Sequence, residues 1–270
     1  MKKLLLLPLL LSASIAGGQM ARFPAHWGLA GLAAYSNRFA DVFSAVSNQA
    51  ALAAVKKFSA GVSGERRFLL KSLNVSSVAL ALPTGSGNFG WRADYAGNQA
   101  LNETTLGLAY ARNAGSKIAL GVQFNYTGLK ASGYGSASAL TFDLSVLCHL
   151  GTQWNAGFHV YNPLGNGFGK ESTEQLPYVY AAGLGYDISP QVFLGVEAEK
   201  MEGWPPGINT VIQYRPADQL FARLGLRSAT AVFAFGFGVQ LNRVRLEALA
   251  SLHPYLGTTP GLSILYAPLE

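Results

Sequence analysis

The chain has 270 residues, half of them apolar and only 13% charged, with a formal charge of +6. That length allows one large β domain or two ordinary ones, and so small and dispersed a positive charge excludes a nucleic-acid partner. The charged share is about half that of a typical soluble domain, so much of the surface must be hidden from water.

The longest apolar run is LLLLPLLLSASIA at the N-terminus. Lys2 and Lys3 precede it, and Ala16 and Gly18 suit the small-residue positions of a cleavage site. Residues 1–18 therefore read as a secretory signal peptide, with an uncleaved anchor as the alternative. Loss of the two lysines lowers the charge from +6 to about +4. No later segment approaches the roughly 18 apolar residues of a spanning helix. The single cysteine, Cys148, cannot form an internal disulfide, which excludes a cysteine-stapled secreted domain.

Residues 19–56, QMARFPAHWGLAGLAAYSNRFADVFSAVSNQAALAAVK, show no period-two alternation. They are expected to form an N-terminal plug or hatch segment, with a periplasmic tail as the alternative. Residues 57–270 are expected to form the barrel. Nearly every segment there alternates in the manner of a strand, beginning with KFSAGVSGERRF, LNVSSVALAL, NFGWRADYAG and ALNETTLGLAYAR. KIALGVQFNYTG, ASALTFDLSVLCHL, NAGFHVYN, PYVYAAGLGYD and QVFLGVEAEK follow. GINTVIQYR, QLFARLGLR, AVFAFGFGVQL, RVRLEALASL and GLSILYA complete a set of about fourteen.

The gaps between these strands alternate in length. PTGS, NAGS, GTQW, ISP, PAD and a turn at Asn242 follow even-numbered strands and consist of turn formers. LKASGYGS, NPLGNGFGKESTEQL, MEGWPP and HPYLGTTP follow odd-numbered ones. Short turns at one end and longer loops at the other describe a transmembrane antiparallel β-barrel of the outer membrane. Strands of about ten residues suit tilted spanning segments. The faces agree with this reading. Phe233, Phe235 and Phe237 alternate with Ala234, Gly236 and Gly238, a pattern that sends phenylalanine to lipid and small residues to the lumen. A soluble periplasmic β-sandwich or propeller is the alternative.

Alternation turns Arg92, Asp94, Glu103, Asp143, Glu197, Glu199, Arg223, Arg243, Arg245 and Glu247 toward the lumen. Lipid-facing charges cost about 2–4 kcal/mol at the midplane, so these residues are candidates for a polar lumen cluster. They either satisfy one another and hold the plug, or line a route for solute. Ser145 and His149 share a face but stand about 13 Å apart along the strand. His159, inward on the next strand, could approach His149. A catalytic pair is not indicated, and neither an enzyme nor a cofactor is expected.

DVFSAVSNQAALA, from Asp41 to Ala53, resembles a stretch of the FadL-like outer-membrane proteins, in particular the PorV/PorQ-type branch tied to type IX secretion. Asn48, Ala50, Ala51 and Leu52 match its plug motif, while Gln49 stands where the family usually has proline. GERRF, the ALPTGSGNFG hairpin and VEAEK also look familial. The resemblance implies a fourteen-stranded outer-membrane barrel with an N-terminal plug, in a Gram-negative bacterium. Its implied role is an accessory barrel of protein secretion, partnered by outer-membrane lipid and secretion-machinery proteins. The alternative is a plugged channel for uptake or export of a hydrophobic small molecule. Short outer loops and a charged lumen lean toward the first.

Overall fold

Side chains two residues apart lie on one face of an extended chain, so each alternating stretch becomes a strand with one apolar side. The computed structural model describes residues 30–168 and 176–266. The signal-peptide and residue 19–29 expectations, and residues 267–270, lie outside the described residues. The strands are β1 (Ser59–Arg66), β2 (Asn74–Thr84), β3 (Gly87–Gly97), β4 (Leu101–Asn113), β5 (Ile118–Ala131), β6 (Gly135–His149) and β7 (Trp154–Tyr161). They continue as β8 (Val179–Ser189), β9 (Val192–Met201), β10 (Gly207–Ala217), β11 (Leu220–Arg227), β12 (Val232–Leu241), β13 (Val244–His253) and β14 (Gly257–Tyr266). Every strand pairs antiparallel with its neighbours in chain order, and β14 returns to β1 through partners such as Val62 and Ile264. Closure leaves no free edge, which is how a β structure satisfies its backbone within lipid.

The ends of the barrel differ, though less than the sequence suggests. Two residues join β2 to β3, β8 to β9, β10 to β11 and β12 to β13. Seven residues lie between β1 and β2, and the β7–β8 connection spans 162–178. The predicted loops LKASGYGS and HPYLGTTP shrink to the three-residue turns 132–134 and 254–256. Alternation hides such an extension because Gly, Ser and Thr carry little hydrophobic contrast, yet they still join the hydrogen-bond ladder. In the β7–β8 connection, Phe168 and Leu176 are instead buried against Ala139 and Leu129. That covers part of the loop end of the lumen.

The outer surface is a continuous apolar belt. Leu108, Leu120, Phe124, Leu140, Ile212, Leu224 and Phe237 are each at least half exposed. Monomeric soluble proteins rarely expose more than a few hundred Å² of contiguous apolar surface, and here the belt runs around all fourteen strands. Trp154 stacks on Tyr186 with ring centroids 4.3 Å apart near the turn end, and Trp204 lies exposed at the loop end. Both positions suit a membrane–water girdle.

Phe237, mid-strand on β12, tests the lipid reading. Phe237→Arg is expected to destabilise the barrel by about 2–4 kcal/mol in urea unfolding from liposomes. A change near zero would mean that this face meets water.

Candidate functional site: a lumen occupied by the N-terminal segment

A fourteen-stranded ring is wider than the eight-stranded ring that side chains alone just fill. The inward positions here are often Gly, Ala or Ser, which widens the gap further. The space they leave at the turn end is taken by residues 30–55. This segment runs through a 3₁₀ turn at Leu32–Tyr35, a short helix α1 at Ser44–Ser47 and a second 3₁₀ turn at Gln49–Ala54. The buried core of the molecule is Leu32, Tyr35, Phe39, Phe43 and Leu52 packed against wall residues such as Ala79, Ala109, Leu147 and Phe193.

Wall glycines set how closely the segment approaches. A Cβ at Gly157 would stand 2.6 Å from the Tyr35 ring, and one at Gly90 would stand 2.7 Å from Leu52. A Cβ at Gly121 would collide with the backbone of Ala50.

Four polar anchors then fix the register. The Ser36 hydroxyl donates to Asp187 Oδ1, and the Asn37 amide donates to Asp187 Oδ2 at 2.9 Å. The β8–β9 register shifts between Asp187 and Ser189, an irregularity of the kind that re-aims a side chain. Asn155 donates to the Tyr35 carbonyl at 3.0 Å, and the Tyr35 phenol donates to Glu197 Oε2 at 2.6 Å. Burial first, and the adjacent Glu197 carboxylate second, hold that phenol well above its usual pKa. It therefore stays protonated and able to donate. Asn88 holds the far end of the segment through the carbonyls of Leu52 and Val55, at 2.6 and 2.7 Å.

The fourth anchor is ionic. One carboxylate oxygen of Asp41 accepts the amides of Phe43 and Ser44 at 3.0 Å each, capping the approach to α1. The other oxygen pairs with Arg245 and lies 4.0 Å from Arg223. Arg223 in turn donates to Glu247 at 3.0 Å. Two guanidinium groups and two carboxylates thus neutralise one another away from water, the condition under which buried charge is tolerated. Both arginines also lie over the Phe221 ring, at 5.3 and 4.8 Å. Burial alone would raise the pKa of Asp41, but Arg245, Arg223 and the amide donors outweigh it and hold the carboxyl below its ordinary range.

The sequence-derived lumen cluster divides into three groups. Arg92 pairs with Asp94 at 3.3 Å, and Glu103 lies inward nearer the loop end, opposite Leu129. Arg223, Arg245 and Glu247 form the quartet with Asp41. Glu197 and Glu199 face Asn209 and Arg227 rather than Arg223, with Arg227 donating to Glu199 at 3.1 Å. Arg243 does not reach the lumen. It occupies the exposed two-residue turn with Asn242, just before the β13 ladder begins. Parity assigned it inward, but a turn residue has no sheet face.

His159 stands across the ladder from Ser145, and His149 across from Asn155, so the two histidines are not neighbours. Ser145 accepts the Ala50 amide at 2.9 Å.

In the matched motif, Asn48 caps the second 3₁₀ turn by accepting the Ala50 amide at 3.1 Å. Gln49 fills the first position of that turn, where proline is commonly accepted, so the turn forms without it. Asp41 and Tyr35, which alternation could not flag, join Asp187 and Arg227, which occupy inward strand positions. The first two lie outside the strands. The partners of the other two depend on register.

Above the segment lies a recess of about 60 Å³ lined by Gly31, Leu32, Ser47, His159, Glu197 and Arg227, among others. The barrel fold recurs in solved structures. The "CymD monoaromatic hydrocarbon channel" superposes with a TM-score of 0.69 at 11% identity, over 92% of this chain and 97% of that one. A Pseudomonas aeruginosa FadL homologue does so at 0.62 and 12%, covering 90% and 97%. The barrel is FadL-like in fold. The Ralstonia pickettii toluene transporter TbuX follows at 0.59 and 12%, covering 83% and 92%. No protein-family model and no curated protein sequence matches the chain.

Asp41→Asn leaves two buried guanidinium groups short of an anion and is expected to destabilise the seated segment by about 3–5 kcal/mol. Trypsin should then cleave at Arg38 and Lys56 faster than in the parent, with the barrel still folded. Arg243→Gln should change nothing in the same assay. Because the Asp41 pKa is depressed on folding, its contribution is complete at neutral pH and is lost only as the pH falls through and below the ordinary carboxylate range. Cleavage rates rising already between pH 7 and 5 would contradict this.

Proposed function

We propose that the protein is an outer-membrane channel for small hydrophobic molecules and that residues 19–56 act as its plug. The observation that carries this reading is the lumen itself. It is wide and lined by small residues, and a separate segment held by a few discrete anchors fills it, where a sealed barrel would use wall side chains. The likeness to hydrocarbon channels over most of the chain supports the same reading.

The recess of about 60 Å³ is well below the cavity of about 150 Å³ that holds benzene in an engineered protein core. Passage therefore requires the segment to leave its seat or shift, with the Asp41 and Tyr35 anchors as the contacts that must break. The secretion-accessory role expected from the PorV/PorQ resemblance draws no support from the similar structures, so the channel reading comes first.

Two measurements test it. In planar bilayers the intact protein should be nearly silent, and a variant lacking residues 30–56 should conduct steadily. In outer-membrane vesicles carrying lipopolysaccharide, the protein should speed the uptake of radiolabelled toluene over vesicles without it. Equal uptake in both, with the barrel confirmed as folded, would sink the channel reading and return attention to secretion partners.

A further inference from the structure

The lipid-facing side of β1 ends in a cation. Val62, Gly64 and Arg66 alternate outward and exposed along that strand, while Ser63 and Glu65 turn inward and are buried. Arg66 stands seven residues along the strand from Ser59. Belt residues on other strands reach at least as far from the turn end. Leu252 lies eight residues along β13 from Val244, and Leu140 nine residues along β6 from His149. Arg66 is therefore at the upper margin of the apolar belt, where a long side chain extends its charge to the headgroup level.

No acidic side chain meets it there. The ladder sets Arg66 opposite Asn74 and Gly64 opposite Ser76, and both of these polar residues are exposed. The acidic residues of β1–β3, Glu65 and Asp94, are inward and buried. The other neighbouring strand, β14, has none. A second cation, Lys71, lies exposed in the β1–β2 connection, three residues before Asn74. Neither Arg66 nor Lys71 has an ion-pair partner among the described residues.

The connection that presents Lys71 is well tied down. The Phe68 amide donates to the Thr259 hydroxyl at 3.0 Å, and the Leu70 amide to the Arg67 carbonyl at 2.9 Å. Phe68 and Leu69 both take left-handed backbone, with φ of 53° and 60°, which bulky side chains rarely adopt. Leu69 and Leu70 consequently stand outside the core, 61% and 51% exposed, next to Lys71. Below Arg66 the surface is that of the belt, with Val62 on β1 and Leu262 opposite Gly64 on β14.

We propose that Arg66 and Lys71 bind a phosphate monoester on an outer-leaflet glycolipid whose acyl chains lie along the belt at Val62 and Leu262. A phosphate monoester carries about −1.5 to −2, which two cations match, whereas a phosphodiester carries a single charge. The planar guanidinium of Arg66 suits phosphate oxygens, and Asn74 and Ser76 add neutral donors beside it. The apolar surface directly below selects a lipid over a free ion. The site rests on the belt's contact with lipid and is independent of whether solutes cross the barrel.

The test is native mass spectrometry of the full-length protein folded in detergent and titrated with diphosphoryl lipid A. A single lipid per barrel is expected to stay bound, and the same lipid stripped of its phosphates is not. Arg66→Gln combined with Lys71→Gln should weaken binding about a hundredfold, tenfold for each charge-assisted contact. Lys130→Gln combined with Lys200→Gln removes the same charge from exposed, outward positions on other strands at the loop end. That pair should change nothing. Equal losses from the two pairs would reduce the effect to overall charge and overturn the site. Equal retention of dephosphorylated lipid A, or of phosphatidylglycerol with its phosphodiester, would overturn it too. If the Arg66 variant fails to fold, Lys71→Gln alone decides, and undiminished binding of lipid A then refutes the proposal.

Discussion

A closed ring of fourteen strands encloses more volume than its inward side chains can fill, and the rest of the molecule follows from that surplus. Lipid fixes the outer face, where only apolar side chains are inexpensive. The closed ladder fixes the backbone. The interior alone is negotiable, and it is filled with the chain's own N-terminal residues. Small wall residues are necessary in this arrangement. Gly157 and Gly183 are flat ground on which the Tyr35 ring can lie, and Gly121 admits the Ala50 backbone.

Polar groups inside the ring obey a second constraint. Water is largely displaced from the turn half of the lumen, so each charge there needs a partner of opposite sign or a set of hydrogen bonds. Asp41 has both, an arginine pair on one oxygen and two backbone amides on the other. The same logic separates the segment from an ordinary hydrophobic core: its apolar contacts are spread over many wall residues, while its position is set by Asp187, Asn155, Asn88 and Arg245. Contacts of that discrete kind can be exchanged one at a time.

Much of the fold was legible because alternation is a local property. The run Phe233, Phe235 and Phe237 against Ala234, Gly236 and Gly238 fixes strand, face and environment within a few residues, and all fourteen strands carry a similar signature. What was not legible depends on register or on ends. Arg243 follows the inward parity of Arg245 and Glu247, yet the strand begins one residue too late to include it. LKASGYGS has the composition of a loop but pairs as a ladder at both margins. Glu199 meets Arg227 because of a cross-strand alignment that neither strand encodes alone, and nothing in period two links Asp41 to a residue on β13. Alternation thus reads which residues of the cluster share the inward face, Arg243 excepted, but not which of them meet.

The anchors of residues 30–55 reach far along the chain. Ser36 meets Asp187 across 151 positions, and Asp41 meets Arg245 across 204. Contacts between residues so distant in sequence form late, because the intervening chain must first be ordered. Asp41 has only the 4.0 Å contact with Arg223 on β11 until β13 brings Arg245 to it. Full anchoring of the N-terminal segment therefore requires both ends of the chain's strand order to be in place.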